Sequence, residues 1–286
     1  MAQTQVSGLF QYLLFGTAAA TTSTGVVDGG DLRMDPQVRR RLGLGGQDSK
    51  RGGVVAPGGA AQFYITNTNV TLAQALLRAS YPAGALTTLE IEGGTDEWGY
   101  DYSTCVLVQG KLECPAGDAF KASVEWGCLT PAAAAGGTAV VEGAVGMDDY
   151  DFVASFEGDE YGVKGFSIPL NNNVSFMRSM DTAVAGAIRH PDHYIYGVEE
   201  LTVELTAGRP LDNTTLNLWG DVLPNDLGIV LTGTGPSHIA TLTLTNLTPT
   251  APGFNFVDNN NQSLWTYRFM GNANLGSLDF DWAAVV

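Results

Sequence analysis

Apolar and polar residues alternate strictly in several stretches of this chain, and that period of two predicts strands. In "LTTLEIE", Leu89 and Ile91 turn inward while Thr88, Glu90 and Glu92 turn outward. "AFKASVEWGC" sends Phe120, Ala122, Val124, Trp126 and Cys128 one way and Lys121, Ser123 and Glu125 the other. "VEELTVELTAG" buries Leu201, Val203 and Leu205 and exposes Glu200, Thr202 and Glu204. "QFYITNTN", "HIATLTLTNLTP" and "SLWTYRFMG" read as further strands. In "YSTCVLVQGKLEC", Gln109-Gly110 predicts a two-residue hairpin turn, because Gly accepts positive φ without penalty. That turn would pair Cys105 with Cys114, with Cys105, Leu107, Leu112 and Cys114 on one face and Val106, Val108, Lys111 and Glu113 on the other.

Two segments switch to helical spacing. "NVTLAQALLRAS" predicts a capped helix with Leu72 and Leu76 buried. "DPQVRRRLG" offers Asp35 as N-cap, Pro36 at the first helical position and Gly43 as stop. Val38 and Leu42 then share a face, leaving Arg39, Arg40 and Arg41 outward, either as a solvated basic turn or as a docking element for an acidic neighbouring subunit. Residues 1–53, rich in Gly, Ala and Thr, read as an N-terminal arm carrying this basic helix. Residues 54–138 form a first β module, and the small-residue stretch Thr130–Ala139 marks the boundary. Residues 139–286 form a second module that opens with the acidic connector "DDYDFVASFEGDEYG". The second half repeats the vocabulary of the first: "FSIPLNNNVSFM" echoes strand plus Asn-Val, and "VEELTVELTAG" echoes "LTTLEIEGG". The expected fold is therefore mainly β, with two tandem β-sandwich modules, each with a short flanking helix, plus the arm.

Composition sharpens this. The 286 residues allow two ordinary domains, and charged residues make up only 15%. Charge is lopsided: residues 1–51 carry six Lys/Arg and four Asp/Glu, while the remainder carries eight against 26, for a net of −16. Such a surface repels nucleic acid and anionic membranes; solubility, or a salty environment, would serve equally well. The apolar run in "LFQYLLFG" is too short for a membrane span and lacks the basic lead-in of a secretory signal. All three cysteines fall on core faces, as small hydrophobes, with a Cys105–Cys114 disulfide or a metal or nucleophile role as alternatives. The odd count fits a reducing compartment.

Candidate chemistry is thin. His190 and His193 flank Asp192 in "RHPDH", but the proline prevents a regular metal-binding face. Ser237-His238 lacks a nucleophile elbow, and no phosphate-binding loop is complete. Glu90 and Glu92 share a strand face as a glycosidase pair would, yet nothing separates their acidities. Asp96 and Glu97 fall in a turn. The acidic connector and "DNNNQS" lack fixed calcium-ligand spacing, leaving only a loose site open in either. No acid, base and oxyanion stabiliser come together, so no enzyme, cofactor or metal is expected.

The strands carry a resemblance. "LTTLEIEGGTDEWGYDYSTCVLVQGKLECPAGDAFKASVEWGC" resembles the signature region of tail tube proteins of long-tailed bacteriophages. There a Leu-rich strand precedes a Gly-containing excursion, an aromatic, a C-x-V strand and an F-x-A-S-V strand. "RHPDHYIYGVEELTVELT" is similar to the family's second-half strand. The likeness covers roughly residues 54–283, and the chain departs from it in being longer than a single module and unusually acidic. It implies a structural virion protein that self-assembles into stacked rings around a channel for viral DNA, a transient non-specific cargo. Two modules per chain would make a homotrimer ring a pseudo-hexamer. Tape measure, tail terminator and distal tail proteins are implied partners, with assembly in the host cytoplasm and no membrane. Within that frame, Glu90, Glu92, Glu125, Glu200 and Glu204 are candidates to line the lumen. Arg39, Arg40, Arg41, Asp96, Glu97 and Trp98 are candidates for inter-ring contacts. The rivals are a virion decoration or connector protein and a carbohydrate-binding or adhesion sandwich, for which Trp98, Tyr100, Tyr102 and Trp219 would form the stacking platform.

Overall fold

The computed structural model describes residues 12–25, 27–35, 38–42, 48–52, 56–78, 85–95, 97–135, 146–147, 151–156, 159–177, 191–207, 227–250, 253–255, 264–271 and 278–284. Among them the chain is mainly β, and every strand pairing is antiparallel. The first half contributes β1 (Tyr12–Gly16), β2 (Thr22–Ser23), β3 (Val27–Asp35), β4 (Val38–Leu42), β5 (Asp48–Gly52), β6 (Ala56–Tyr64), β7 (Leu89–Gly94), β8 (Trp98–Cys114) and β9 (Lys121–Ala135). The second half contributes β10 (Phe152–Phe156), β11 (Asp159–Asn171), β12 (Val174–Met177), β13 (His193–Tyr196), β14 (Glu200–Ala207), β15 (Leu227–Thr234), β16 (His238–Pro249), β17 (Gly253–Asn255), β18 (Leu264–Gly271) and β19 (Leu278–Ala284).

Two strand circuits share one sheet. In the first, neighbours run β2-β1-β7-β8-β9-β6-β3. Side chains tie the residue after β2 to β1 and to the end of β6: Thr24 Oγ1 donates to the Leu13 carbonyl (3.1 Å), and Asn69 Nδ2 donates to the carbonyls of Thr24 (2.8 Å) and Tyr64 (2.7 Å). The second circuit closes outright through β11-β14-β18-β16-β15-β10 and back to β11. Strand β8 joins the two. Its first half pairs with β7, its second half with β11, and β9 lies along the other edge. Side chains from both halves merge into a single apolar core, so the two circuits share one interior.

Alternation predicted the faces correctly in β7, β9 and β14, where Leu89, Ile91, Phe120, Ala122, Val124, Trp126, Cys128, Leu201, Val203 and Leu205 are all buried. Leu72 in the helix α1 (Val70–Gln74) and Leu76 just past its end are buried as expected, but the helix is short. Asn69 does not cap it through its side chain; the amide instead ties Thr24 to Tyr64. The second-half counterpart, Val174, begins a strand rather than a helix.

Other expectations fail for identifiable reasons. Gln109-Gly110 is not a turn, because β8 runs unbroken through it. Leu107 pairs with Trp126 and Gln109 with Glu125, so Val108 is the extra residue of a bulge. That bulge resets the alternation and returns Leu112 and Cys114 to the face of Cys105 and Leu107, the same faces the hairpin would have given. Gly110 thereby lands on the core side, where an added Cβ would lie 2.6 Å from Leu76 Cδ2. Cys105 stands opposite Cys128, Cys114 stands opposite Phe166, and all three thiols are free and buried. Burial raises the Cys105 pKa, with Cys128 adding to the effect, so this sulphur stays a thiol.

The predicted basic helix is also absent. Asp35 ends β3, and residues 38–42 form β4, paired with β5. Asp35 pairs with Ala56 and Val38 with Gly52, so β4–β5 prolongs the β3–β6 ribbon, and ladder pairing overrides the local capping signal. The arm is accordingly woven in, since β1 pairs with β7 and β3 with β6. The supposed linker is partly strand as well: Ala132–Ala135 pair with residues 98–101 because β9 must match the length of β8. Within the acidic connector, Phe152–Phe156 and Asp159 onward form the β10–β11 hairpin that closes the second circuit.

Candidate functional site

The polar side of the sheet forms one surface across β6, β9, β8, β11, β14 and β18. Register places Ala60, Glu125, Gln109, Asn171 and Glu200 in one row across five strands. A second row runs Tyr64, Lys121, Glu113, Ser167, Glu204 and Arg268. Glu125, Glu200 and Glu204, three of the five candidate lumen residues, therefore share this surface.

Three of its cations are tied to carboxylates, while Lys164, at the bulge of β11, is exposed. Lys121 Nζ lies 2.7 Å from Asp118 Oδ2 and also stacks over the Tyr64 ring, Lys111 pairs with Glu113, and Arg268 Nε lies 2.8 Å from Glu204 Oε1. The Lys121 contact lowers the Asp118 pKa, helped by the Ala119 N–H. Glu113 further accepts a bond from Gln62 Nε2 (3.4 Å), and Glu125 accepts one from Gln109 Nε2 (2.6 Å). The exposed Arg268–Glu204 pair adds little stability. The consequence of the three pairs is that the surface offers anions no unengaged ammonium or guanidinium at these positions.

Glu90 and Glu92 also lie on the polar side but serve the fold. Glu90 Oε1 accepts the Thr104 N–H (3.1 Å), holding a β8 residue at φ 58° where the pairing with β7 slips by one. Glu92 accepts the Tyr12 hydroxyl (3.1 Å); burial, and then Glu92, push the Tyr12 pKa up to about 12. Along β9, the contact of the β12–β13 hairpin separates these two from the other three. An added Cβ on Gly127 would lie 2.4 Å from the Phe176 ring, so the hairpin crosses the sheet there.

The foot of that hairpin is a polar knot that strand patterns did not reveal. Asn172 is fully buried, its Nδ2 donating to the carbonyls of Leu76 (3.0 Å) and Leu107 (3.1 Å). The nearly buried Arg78 donates to the carbonyls of Asn172 (2.9 Å) and Gly197 (2.8 Å) and stacks on Tyr196. Glu199 stands 3.9 Å away; burial raises its pKa while Arg78 pulls it back. Asn173, at φ 48°, donates through Nδ2 to the Val198 carbonyl (2.7 Å). The only sequence signal was the Asn171–Asn173 run, since Asn tolerates positive φ. Asn172→Ala strips the partner from two buried carbonyls and is expected to cost about 3 kcal/mol. Chemical unfolding measures this; a loss within experimental error of zero would remove the knot's structural role. From this foot the hairpin exposes Met177, Ile195, Tyr196 and Val198.

Of the inter-ring candidates, Trp98 is 43% exposed at the start of β8 and meets Tyr100 edge-on, and Glu97 is exposed beside it. Asp96 lies outside the described residues, as do His190, Trp219 and residues 258–263. Tyr102 is fully buried, which removes it from the aromatic platform considered for glycans. His193 pairs with its neighbour Asp192. No helix among the described residues is long and apolar enough to cross a membrane.

No curated protein matches the chain. A family model described as phage tail tube protein matches residues 2–272 of the 286. Membership implies a structural component of the virion tail that polymerises into a tube, and the mainly β, antiparallel architecture agrees with it. With nearly its whole length matched, the chain belongs to the phage tail tube protein family.

Proposed function

We propose that three copies of this chain form a ring, that rings stack into the tail tube, and that the polar sheet face lines the bore through which DNA passes. Two strand circuits per chain support the count of three, since each circuit would occupy one sixfold position. The observation that carries the lumen assignment is the six-strand polar surface on which Lys111, Lys121 and Arg268 are each held by a carboxylate. A polyanion gains affinity by releasing counterions as Lys and Arg neutralise its phosphates, and engaged cations cannot give that gain freely. Glu125, Glu200 and Glu204 are the bore residues in this reading, with Glu113 added. Glu90 and Glu92 belong to the fold beside it.

Contacts between rings fall to the basic β4–β5 hairpin, with Arg39, Arg40 and Arg41, and to the exposed Glu97–Trp98 corner beside Asp96. Tape measure, terminator and distal tail proteins would meet the ends of the tube. Negative-stain microscopy of the purified chain at rising concentration tests the proposal: rings of three copies, then tubes, are expected. A chain that stays monomeric at high concentration would overturn it.

A further inference from the structure

The hairpin β4–β5 pairs with no other strand of the described chain. Its register sets Arg39 opposite Arg51 and Arg40 opposite Lys50. Like charges directly opposed across a ladder are destabilising, and a two-stranded stretch with no third strand beside it gains little to offset them. Five cations against the single Asp48 thus make an element whose order calls for external carboxylate. Strand β19 has the complementary chemistry. Among the described strands it pairs only with β16, Gln74 Nε2 donates to its Phe280 carbonyl (2.9 Å), and it carries exposed Asp279 and Asp281 at alternate positions. Arg39 and Arg41 occupy alternate positions of β4 with the same two-residue spacing.

We propose that the basic hairpin β4–β5 of one copy docks on the acidic edge strand β19 of a second copy. The inference rests on the tube reading and names the receptor for the hairpin. Charge makes the contact selective. Two β19 edges repel each other, and so do two hairpins, leaving hairpin-to-edge as the attractive pairing. Asp281 also accepts the Trp282 N–H (2.9 Å), occupying a backbone donor of the edge strand until a cation draws the carboxylate away. Because hairpin and edge are different surfaces, the contact is heterologous and repeats from copy to copy, as a ring or filament requires.

The test is a charge exchange in the full chain, read by sedimentation and negative stain. Asp279 and Asp281 are exposed, and the hairpin stands outside the main sheet, so circular dichroism should match wild type in every variant. R39E/R41E and D279K/D281K should each raise the critical concentration for polymer by about tenfold or more. The combined variant R39E/R41E/D279K/D281K should recover polymer, because each contact regains opposite charges. If either reversed pair polymerises like wild type, or the combined variant fails to recover, the docking assignment is overturned while the tube reading stands. If wild type itself does not polymerise, the tube reading fails, and this inference with it.

Discussion

Removing residues 1–53 is expected to leave an insoluble chain rather than a trimmed subunit. Read from the sequence alone, this segment is an arm, and its loss would spare the fold and stop only polymerisation. The structure reverses that expectation. Tyr12, Leu13 and Phe15 are buried, β1 pairs with β7 over five residues, and β3 is the ladder partner of β6. Burial of three such side chains contributes roughly 5–9 kcal/mol, which is about the whole net stability of a typical domain. The control is a smaller cut. Asp35 and Ala56 are ladder partners, so replacing residues 36–55 with Asn-Gly closes the ribbon as an ordinary two-residue hairpin. That variant should stay soluble, keep its β-type circular dichroism and fail to polymerise. A soluble, cooperatively unfolding chain lacking residues 1–53 would show that β1 and β3 are dispensable.

Glu125→Lys with Glu200→Lys is expected to slow genome release from assembled particles. The two positions lie in one row across the sheet, separated by Gln109 and Asn171, and both would present ammonium groups to the bore. Each phosphate contact adds ~1 kcal/mol at 0.15 M salt by counterion release. The contacts repeat in every ring that the DNA crosses, so release should slow by at least an order of magnitude. The retardation should shrink as salt rises, since screening shortens the reach of each charge. Dye-monitored DNA release from variant particles at two salt concentrations measures this. Wild-type kinetics in particles of normal tail length would place the polar face elsewhere than the lumen. Glu204→Ala is a milder probe of the same surface, because it leaves Arg268 without its carboxylate.

How far the sequence could be read depended on the range of the interaction. Faces were legible wherever alternation ran undisturbed, as in β7, β9 and β14, because the polar-to-apolar period is itself the burial signal. The bulge at Val108 was not legible. Gln109-Gly110 has the chemistry of a turn, and only the demand that β8 serve β9 along one edge and both β7 and β11 along the other holds it straight. The capping signal at Asp35-Pro36 likewise yielded to ribbon pairing. Of the candidate bore residues, local pattern placed all five outward, but it could not distinguish Glu90 and Glu92, committed to Thr104 and Tyr12, from Glu125, Glu200 and Glu204.

By itself, then, the sequence determined the β class, the inward and outward faces of the regular strands, the family likeness and the excess of negative charge, since each is encoded in neighbouring residues or in totals. Tertiary structure alone decided the two circuits with one interior, the Arg78–Asn172 knot, the pairing of Arg268 with Glu204 and the weaving of β1 and β3 into the sheet. Each of these joins residues far apart in the chain, and a contact whose partners lie tens of residues away leaves no periodic trace in either segment.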